Sequence, residues 1–389
     1  MTAGAAAQFM GFPRAQGRAG IRNHLLVLSV CGLNAAGARK VAAALPGAVL
    51  VLQPYGRGQI GADFAYQDGM LTAFGCHPNV GAVVLLAPDA AMRRRYQERI
   101  AATGRPVAGF SLQEAGEDGE RIVAEAAAAG TALQRELAGA RRAPVALSDL
   151  AIAMECGHSD ATSGILANPL VGDIADRIVV GGGAAVISET MEWLGTEASL
   201  MARAAPDVAA RLRALVAARH AIATAAGQSL TMGNPGPQNH AGGITTLEEK
   251  SHGAVAKGGT GPIAGALAAG EALPGTGLYL MDTPTLSPES ISAMVAGGAQ
   301  MVLFTTGAGN PYGSALAPTI KITANPDTAR RLPRQIDFDA APGWRGEVAR
   351  PALAAALFDL VLAVASGRST AVERLGEGDE VLSRLGASV

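Results

Sequence analysis

LAIAMECGHSDATSGILANP, Leu150 to Pro169, is the stretch on which the fold turns. A short apolar run stops abruptly at a loop crowded with Cys, His, Ser, Asp and Thr. Such a run suits a fully buried strand, and in open parallel sheets ligands bind beyond the carboxyl ends of the strands. The loop alone leaves two readings open. Cys156, His158, Ser159 and Asp160 could hold a metal or a substrate; equally, Ser159 or Asp160 could cap a helix and Cys156 could be a small buried hydrophobe.

Similar runs recur on both sides of it. Upstream stand LLVLSVC from Leu25, AVLVLQPY from Ala48, VGAVVLLAPD from Val80 and the shorter RPVAGF from Arg105; downstream come IVVGGGAAVISE, GLYLMDTPT, AQMVLFTTG and TIKITAN. Between them NAAGARKVAAAL and the region of AMRRRYQERIAATG read as helices with one charged face. A further helix is expected from about Asp118, and ARPALAAALFDLVLAVASG supplies an apolar closing helix. Strand and helix alternate, so the class is α/β with mostly parallel sheets. The 389 residues exceed one ordinary core. Small, basic and proline residues interrupt the pattern around Gly139 to Pro144, which places a boundary near Ala143. Residues 1–143 are read as an N-terminal α/β domain and a candidate dimerisation domain. Residues 144–389 are read as a doubly wound, Rossmann-like C-terminal domain carrying the metal and substrate site.

Composition narrows the function. A formal net charge of −2 offers no basic face for nucleic acid. The three cysteines are far apart and odd in number, against a disulfide framework and in favour of a reducing compartment. The start MTAGAAAQFMGFPRAQGR lacks a secretory pattern, and no run spans a bilayer. A cytoplasmic protein is expected, without membrane or nucleic-acid partners.

Four polar loops follow the strands of the second part: ECGHSD, ETMEW, DTPTLSPES and TTGAGNPYG. All should converge on one crevice. In ISETMEW, Glu189 and Glu192 are neighbours if the segment is helical and could hold a hard cation or move a proton. Acids in a first helical turn more often complement the helix dipole. GNPGPQNHAGGITTLEEKSHGAVAKGG begins as a turn and continues as a capped helix. Glu248 and His252 stand at i, i+4, as ligands or as a surface ion pair, and Lys250 and Lys257 are candidates for a carboxylate. VVGGGAAV lacks G-x-G-x-x-G spacing, and YGRGQIG lacks a P-loop ending, so no nucleotide site is expected.

Together these blocks resemble the altronate and galactarate dehydratase family. ECGHSDATSGILANPLVG is similar to its CGGSD…SG…ANP signature, ISETMEWLGTE to its SETxExxGxE block, and NPGPQNHAGGITTLEEKSHGAVAKGG to its NPxPGNxAGGxTTLEEKSLGxxxKGG block. LFTTGAGNPYG with APTIKITAN, and GFPRAQGRAGIRNHLLVLSV near the start, follow in family order. The resemblance implies metal-dependent removal of water from a sugar acid, giving a 2-keto-3-deoxy product, with Fe2+ or Mn2+ as the divalent metal. A related branch releases sulfite from sulfolactate. It also implies a small β-rich domain carrying a histidine, expected here as a separate small subunit, in a homo-oligomer. On this reading Cys156, Asp160 and Glu189 surround the metal. Ser159, Asn168, Thr245, Thr246, Thr305 and Thr306 bind the anionic sugar acid, and Lys250, His158 and His252 are catalytic. His158 stands where the family has glycine and His252 where it has an apolar residue; QPYGRGQIG and LLAPDAAM lack the His and Cys of the corresponding family loops. The alternatives are a sulfolactate sulfo-lyase and a non-catalytic scaffold.

Overall fold

In a computed structural model, residues 7–56, 58–229, 233–384 and 386 are described. The chain forms two compact units, one built mainly from Met10–Val145 and the other from Ala146–Ser314 with Pro318–Gly378. The chain returns late to the first unit, which also takes in Ala315–Ala317 and the segment from Asp379.

The first unit holds four parallel strands, β1 (His24–Ser29), β2 (Val49–Leu52), β3 (Val80–Ala87) and β4 (Val107–Ser111), in the order β2-β1-β3-β4. All eight residues of β3 are buried, as a central strand covered on both faces requires. The helices Ala35–Ala44, Gly61–Gly75, Ala90–Ala101 and Gly119–Ala138 connect and follow these strands. Asp89 caps the third through Met92 N–H, and Asp118 caps the fourth through Glu120 and Arg121 N–H. Leu25, Val27, Val41, Val84, Ile122 and Ala126 meet in one apolar cluster.

The second unit holds seven parallel strands: β5 (Ala151–Cys156), β6 (Ala184–Ile187), β7 (Ile263–Leu267), β8 (Gly277–Met281), β9 (Met301–Thr305), β10 (Thr319–Thr323) and β11 (Phe338–Asp339). Their order is β11-β10-β9-β5-β6-β8-β7. From β5 the chain adds β6, lays down the edge strand β7, inserts β8 between them, and then crosses back to place β9 on the other side of β5. This reversal is the switch point at which doubly wound sheets open a crevice. β5, β8, β9 and β10 are buried along their whole length.

Two details depart from the apolar pattern. IVVGGGAAVISE is not one strand: Ile178–Val180 finish the helix Asn168–Val180, and only Ala184–Ile187 are extended. Ile178 is fully buried while Val180 is 88% exposed, a one-sided pattern that suits a helix end, and Gly182 takes φ +88° in the turn. β7, made of IAGAL, is an edge strand whose small residues gave no β-branched signal.

One buried charge in this sheet has a measurable consequence. Lys321 on β10 is 1% exposed, its Nζ lies 3.4 Å from the centre of the Phe304 ring, and it donates to the Tyr312 carbonyl. Burial lowers its pKa to about 7. The unfolded lysine titrates near the ordinary 10.5, so between these values the unfolded chain binds more protons. Stability should therefore rise with pH from about 7 towards 10, with a limiting slope of about 1.4 kcal/mol per pH unit. Denaturant melts across that range should show the rise in the wild type, with Lys321→Met lacking this component.

Candidate active site

The carboxyl ends of β5, β6, β8 and β9 feed a cavity of about 370 Å³. Cys156, Glu189, Glu192 and Lys250 line it, together with His158, Ser159, Gln238, Asn239, Asn310 and Tyr312. Cys156 ends β5. Glu189 follows β6 in the left-handed region, at φ +66°, a conformation costing about 1–3 kcal/mol for a non-glycine residue. The surroundings hold it there: its N–H donates to Thr283 Oγ1 at 2.9 Å, and Trp193 Nε1–H donates to the Ser188 carbonyl at 3.1 Å. The backbone then enters a tight turn, Thr190–Trp193, which turns Glu192 inward as well.

The helix Leu247–Val255 brings the cations. Thr246 caps it, and Glu249 closes a reciprocal capping box. Lys250 Nζ lies 3.2 Å from Glu192 Oε1 and donates to Asn234 Oδ1. In the following turn, Lys257 is 2% exposed. Its Nζ is 3.0 Å from Cys156 Sγ, 3.7 Å from Glu192 Oε2 and 3.8 Å from Glu189 Oε2. Glu155, beside Cys156, accepts from Ser290 Oγ through Oε2, whereas its Oε1 and Glu189 Oε2 are buried and accept no hydrogen bond from an amide, amine or hydroxyl.

Electrostatics separates the three carboxyls. Burial, then Glu155 and Glu192, pushes Glu189 well above the ordinary range, and burial likewise raises Glu155 although Lys257 opposes it. Burial also works against ionisation of Glu192, but Lys250 and Lys257 outweigh it and hold that carboxyl below the ordinary range. Burial raises the Cys156 thiol. Burial disfavours both ammonium groups, yet the surrounding Cys156 and carboxylates leave Lys257 and Lys250 above the ordinary lysine range. Of the three carboxyls, Glu192 is the one its lysine neighbours favour in the ionised form, and Lys250 stands in the cavity wall where it can face an anionic ligand.

Not all the residues expected at the site meet here. Cys156, Glu189, Lys250, His158 and Ser159 reach the cavity. Asp160 does not line the cavity and is occupied by its surroundings: Oδ1 accepts from Thr162 Oγ1 at 2.7 Å and from Ser163 N–H and Oγ, and Oδ2 accepts from Asn325 Nδ2 at 2.7 Å. Cβ atoms placed on Gly242 or Gly307 would fall 2.5 Å and 2.2 Å from its side chain. Asp160→Ala, which removes all four bonds, is expected to destabilise the fold by roughly 2–4 kcal/mol, measurable by denaturant titration. Asn168 and Thr305 are bound to each other, and Asn168 Nδ2 donates to the Gly253 carbonyl. Thr306 Oγ1 accepts from Gly309 N–H. Thr245 and Thr246 bond to Glu249, outside the cavity, and His252 is exposed.

Cys156, Glu189 and Glu192 each offer a ligand atom within 4.8 Å of the others. Thiol sulfur and carboxylate oxygen together suit a divalent first-row cation, and Glu189 Oε2 accepts no hydrogen bond that would compete for it. Glu192 takes the place that the sequence pattern gave to Asp160.

Residues 147–388 match the family described as D-galactarate/Altronate dehydratase, C-terminal, and residues 11–138 match D-galactarate dehydratase/Altronate hydrolase, second domain. The chain belongs to the D-galactarate/altronate dehydratase family. Among its relatives is the beta subunit of (2R)-sulfolactate sulfo-lyase from Chromohalobacter salexigens, 35% identical over 380 residues and 97% of both chains. Altronate dehydratase of Escherichia coli is 33% identical, covering 93% of this chain and 75% of that protein. That of Bacillus subtilis is 32% identical, covering 92% and 74%. The protein is accordingly an enzyme of the lyase class. Among the described residues no helix is long and apolar enough to cross a membrane.

Proposed function

We propose that this lyase dehydrates a sugar acid, an aldonate or aldarate, to a 2-keto-3-deoxy acid. The observation that carries the reading is the buried Cys156, Glu189, Glu192 and Lys257 cluster opening onto a cavity with many hydrogen-bonding side chains. A polyhydroxylated anion needs both features. Cys156, Glu189 and Glu192 would hold Fe2+ or Mn2+. A bound divalent cation supplies Lewis acidity, stabilising the charge that develops when the proton α to a carboxylate is removed.

The remaining steps fall to the chain. Lys250, in the cavity wall, receives the substrate carboxylate. His158 Nδ1 lies 2.8 Å from the Gly309 carbonyl, which only accepts, so Nδ1 carries the proton and Nε2 is the nitrogen left for proton exchange. The loop beneath it is pinned, because Gly307 and Ala308 N–H both donate to the His158 carbonyl. Ser159, Gln238, Asn239 and Asn310 offer bonds to the hydroxyl groups. Departure of the C3 hydroxyl as water leaves an enol, which tautomerises to the keto acid.

A second reading has its own support: the end-to-end match to a sulfo-lyase subunit. It would release sulfite from sulfolactate by the same α-deprotonation. Both readings include a separate small β-rich subunit, and that relative's name as a subunit supports such a partner. The test is a keto-acid assay over a panel of aldonates, aldarates and sulfolactate, with Fe2+ or Mn2+, with and without the neighbouring small subunit. Keto acid from a sugar acid without sulfite supports dehydration. Sulfite from sulfolactate replaces it with the second reading, and no product from any acid overturns both.

A further inference from the structure

The acceptor atoms of Cys156, Glu189 and Glu192 already surround a cation, the Lys257 ammonium, at 3.0, 3.8 and 3.7 Å. A divalent metal bonded to sulfur and oxygen stands about 2.0–2.4 Å from each ligand atom. Seated among these same three groups, it would stand close to the ammonium nitrogen, and the two cations would repel each other. They cannot share the place. Glu189 Oε2 and Glu155 Oε1 accept no hydrogen bond from an amide, amine or hydroxyl, and the two carboxyls are hydrogen-bonded to each other. The first belongs to the metal's ligand set. The second lies on the adjoining strand residue and is electrostatically coupled to Lys257. A lysine side chain is a flexible four-carbon stem with a compact charge, so its ammonium can change partner without moving the backbone turn.

We infer that the Lys257 ammonium and a divalent cation are alternative occupants of one seat formed by Cys156, Glu189 and Glu192, and that metal loading transfers the ammonium to Glu155. Without metal, Lys257 keeps the ligand atoms gathered; with metal, it moves aside to the Glu155 carboxyl, which loses its hydrogen bond to Glu189 when Glu189 gives up its proton and binds the metal. Lys257 is on this account a positioning residue that sets metal affinity. The inference rests on the metal assignment proposed above but not on the identity of the substrate.

Co2+ is the probe, because its binding to a thiolate gives a sulfur-to-metal charge-transfer band and can be titrated without substrate. The full-length protein is titrated as wild type, Lys257→Met, Glu155→Gln and the double variant. Removing the competing ammonium is expected to tighten Co2+ binding at least tenfold in Lys257→Met, with the thiolate band retained. Glu155→Gln is expected to weaken binding several-fold where Lys257 is present and to change nothing in the Lys257→Met background. Unchanged or weaker Co2+ affinity in folded Lys257→Met overturns the inference. So does binding without a thiolate band, or an equal effect of Glu155→Gln in both backgrounds. Should Lys257→Met not fold, Glu155→Gln alone decides: weakened Co2+ binding supports the transfer, and unchanged binding overturns it. Since no turnover is read, a failed keto-acid assay and a failed metal titration remain separate results.

Discussion

Glu192→Gln is expected to lower folding stability by about 3–5 kcal/mol, the range for removing one partner of a buried ion pair. Glu192 is 3% exposed and stands between Lys250, at 3.2 Å, and Lys257, at 3.7 Å. Glu155 and Glu189 are poorer counter-charges, because burial pushes both carboxyls above the ordinary range. A neutral amide of the same shape would leave the buried Lys257 ammonium and the half-buried Lys250 ammonium without this carboxylate between them. The loss should appear as an earlier midpoint in denaturant at unchanged slope. In the Glu192→Gln/Lys257→Met double variant one of the two stranded charges is gone, so the double should be less destabilised than the sum of the singles by more than about 1 kcal/mol. A Glu192→Gln protein within about 1 kcal/mol of wild type would show that Glu192 is not the carboxylate balancing the lysines.

That role for Glu192 was hard to read in the sequence. ETMEW can be written as a helical first turn, where acids three apart complement a dipole, and locally nothing contradicts it. The decisive fact is the left-handed backbone at Glu189, which breaks the helical spacing and directs both carboxylates inward. The strain is supported by Thr283, about ninety residues downstream and brought close only by the sheet. Lys257 and Glu155 show the same difficulty. Lys257 was legible as a carboxylate-binding candidate, but its partner Cys156 is |i−j| = 101 residues away, and Glu155 reads simply as the last polar residue before a cysteine. By contrast, the strands of both sheets other than β7 and β11 were visible because buried parallel strands are written in short apolar, often β-branched runs, and the strand-end loops followed from that. Local rules also located the Thr246 cap, though the capping hydroxyl that makes TTLEE recognisable is for that reason committed to the backbone and to Glu249, outside the cavity. Asp160 repeats the lesson: a carboxylate placed among hydroxyls suggests a ligand, yet the adjacent Thr162 and Ser163 are themselves sufficient to occupy it.

Glu189→Gln should produce the opposite separation, loss of activity with the fold intact. Burial pushes this carboxyl well above the usual carboxylate range, and Oε2 accepts no hydrogen bond. Glutamine matches its volume and burial already disfavours the charged carboxylate, so no cavity is created and little charge pairing is lost, and the stability change is expected within about 1 kcal/mol. The left-handed backbone is equally strained in both proteins, so it cancels from the comparison. What disappears is an anionic oxygen ligand. On the proposed function, divalent-metal affinity and turnover should each fall by at least about 10–100-fold, the range seen when even outer partners of metal ligands are removed. Turnover should recover only in part at high metal concentration, because the site then lacks one anionic ligand even when filled. Metal titration, keto-acid release and a denaturant melt on the same preparation distinguish the cases. Retained affinity and turnover would remove Glu189 from the site, whereas lost activity accompanied by a large loss of stability would assign it to holding the β6 turn. The metal-ligand role requires the first two measurements to change while the third does not.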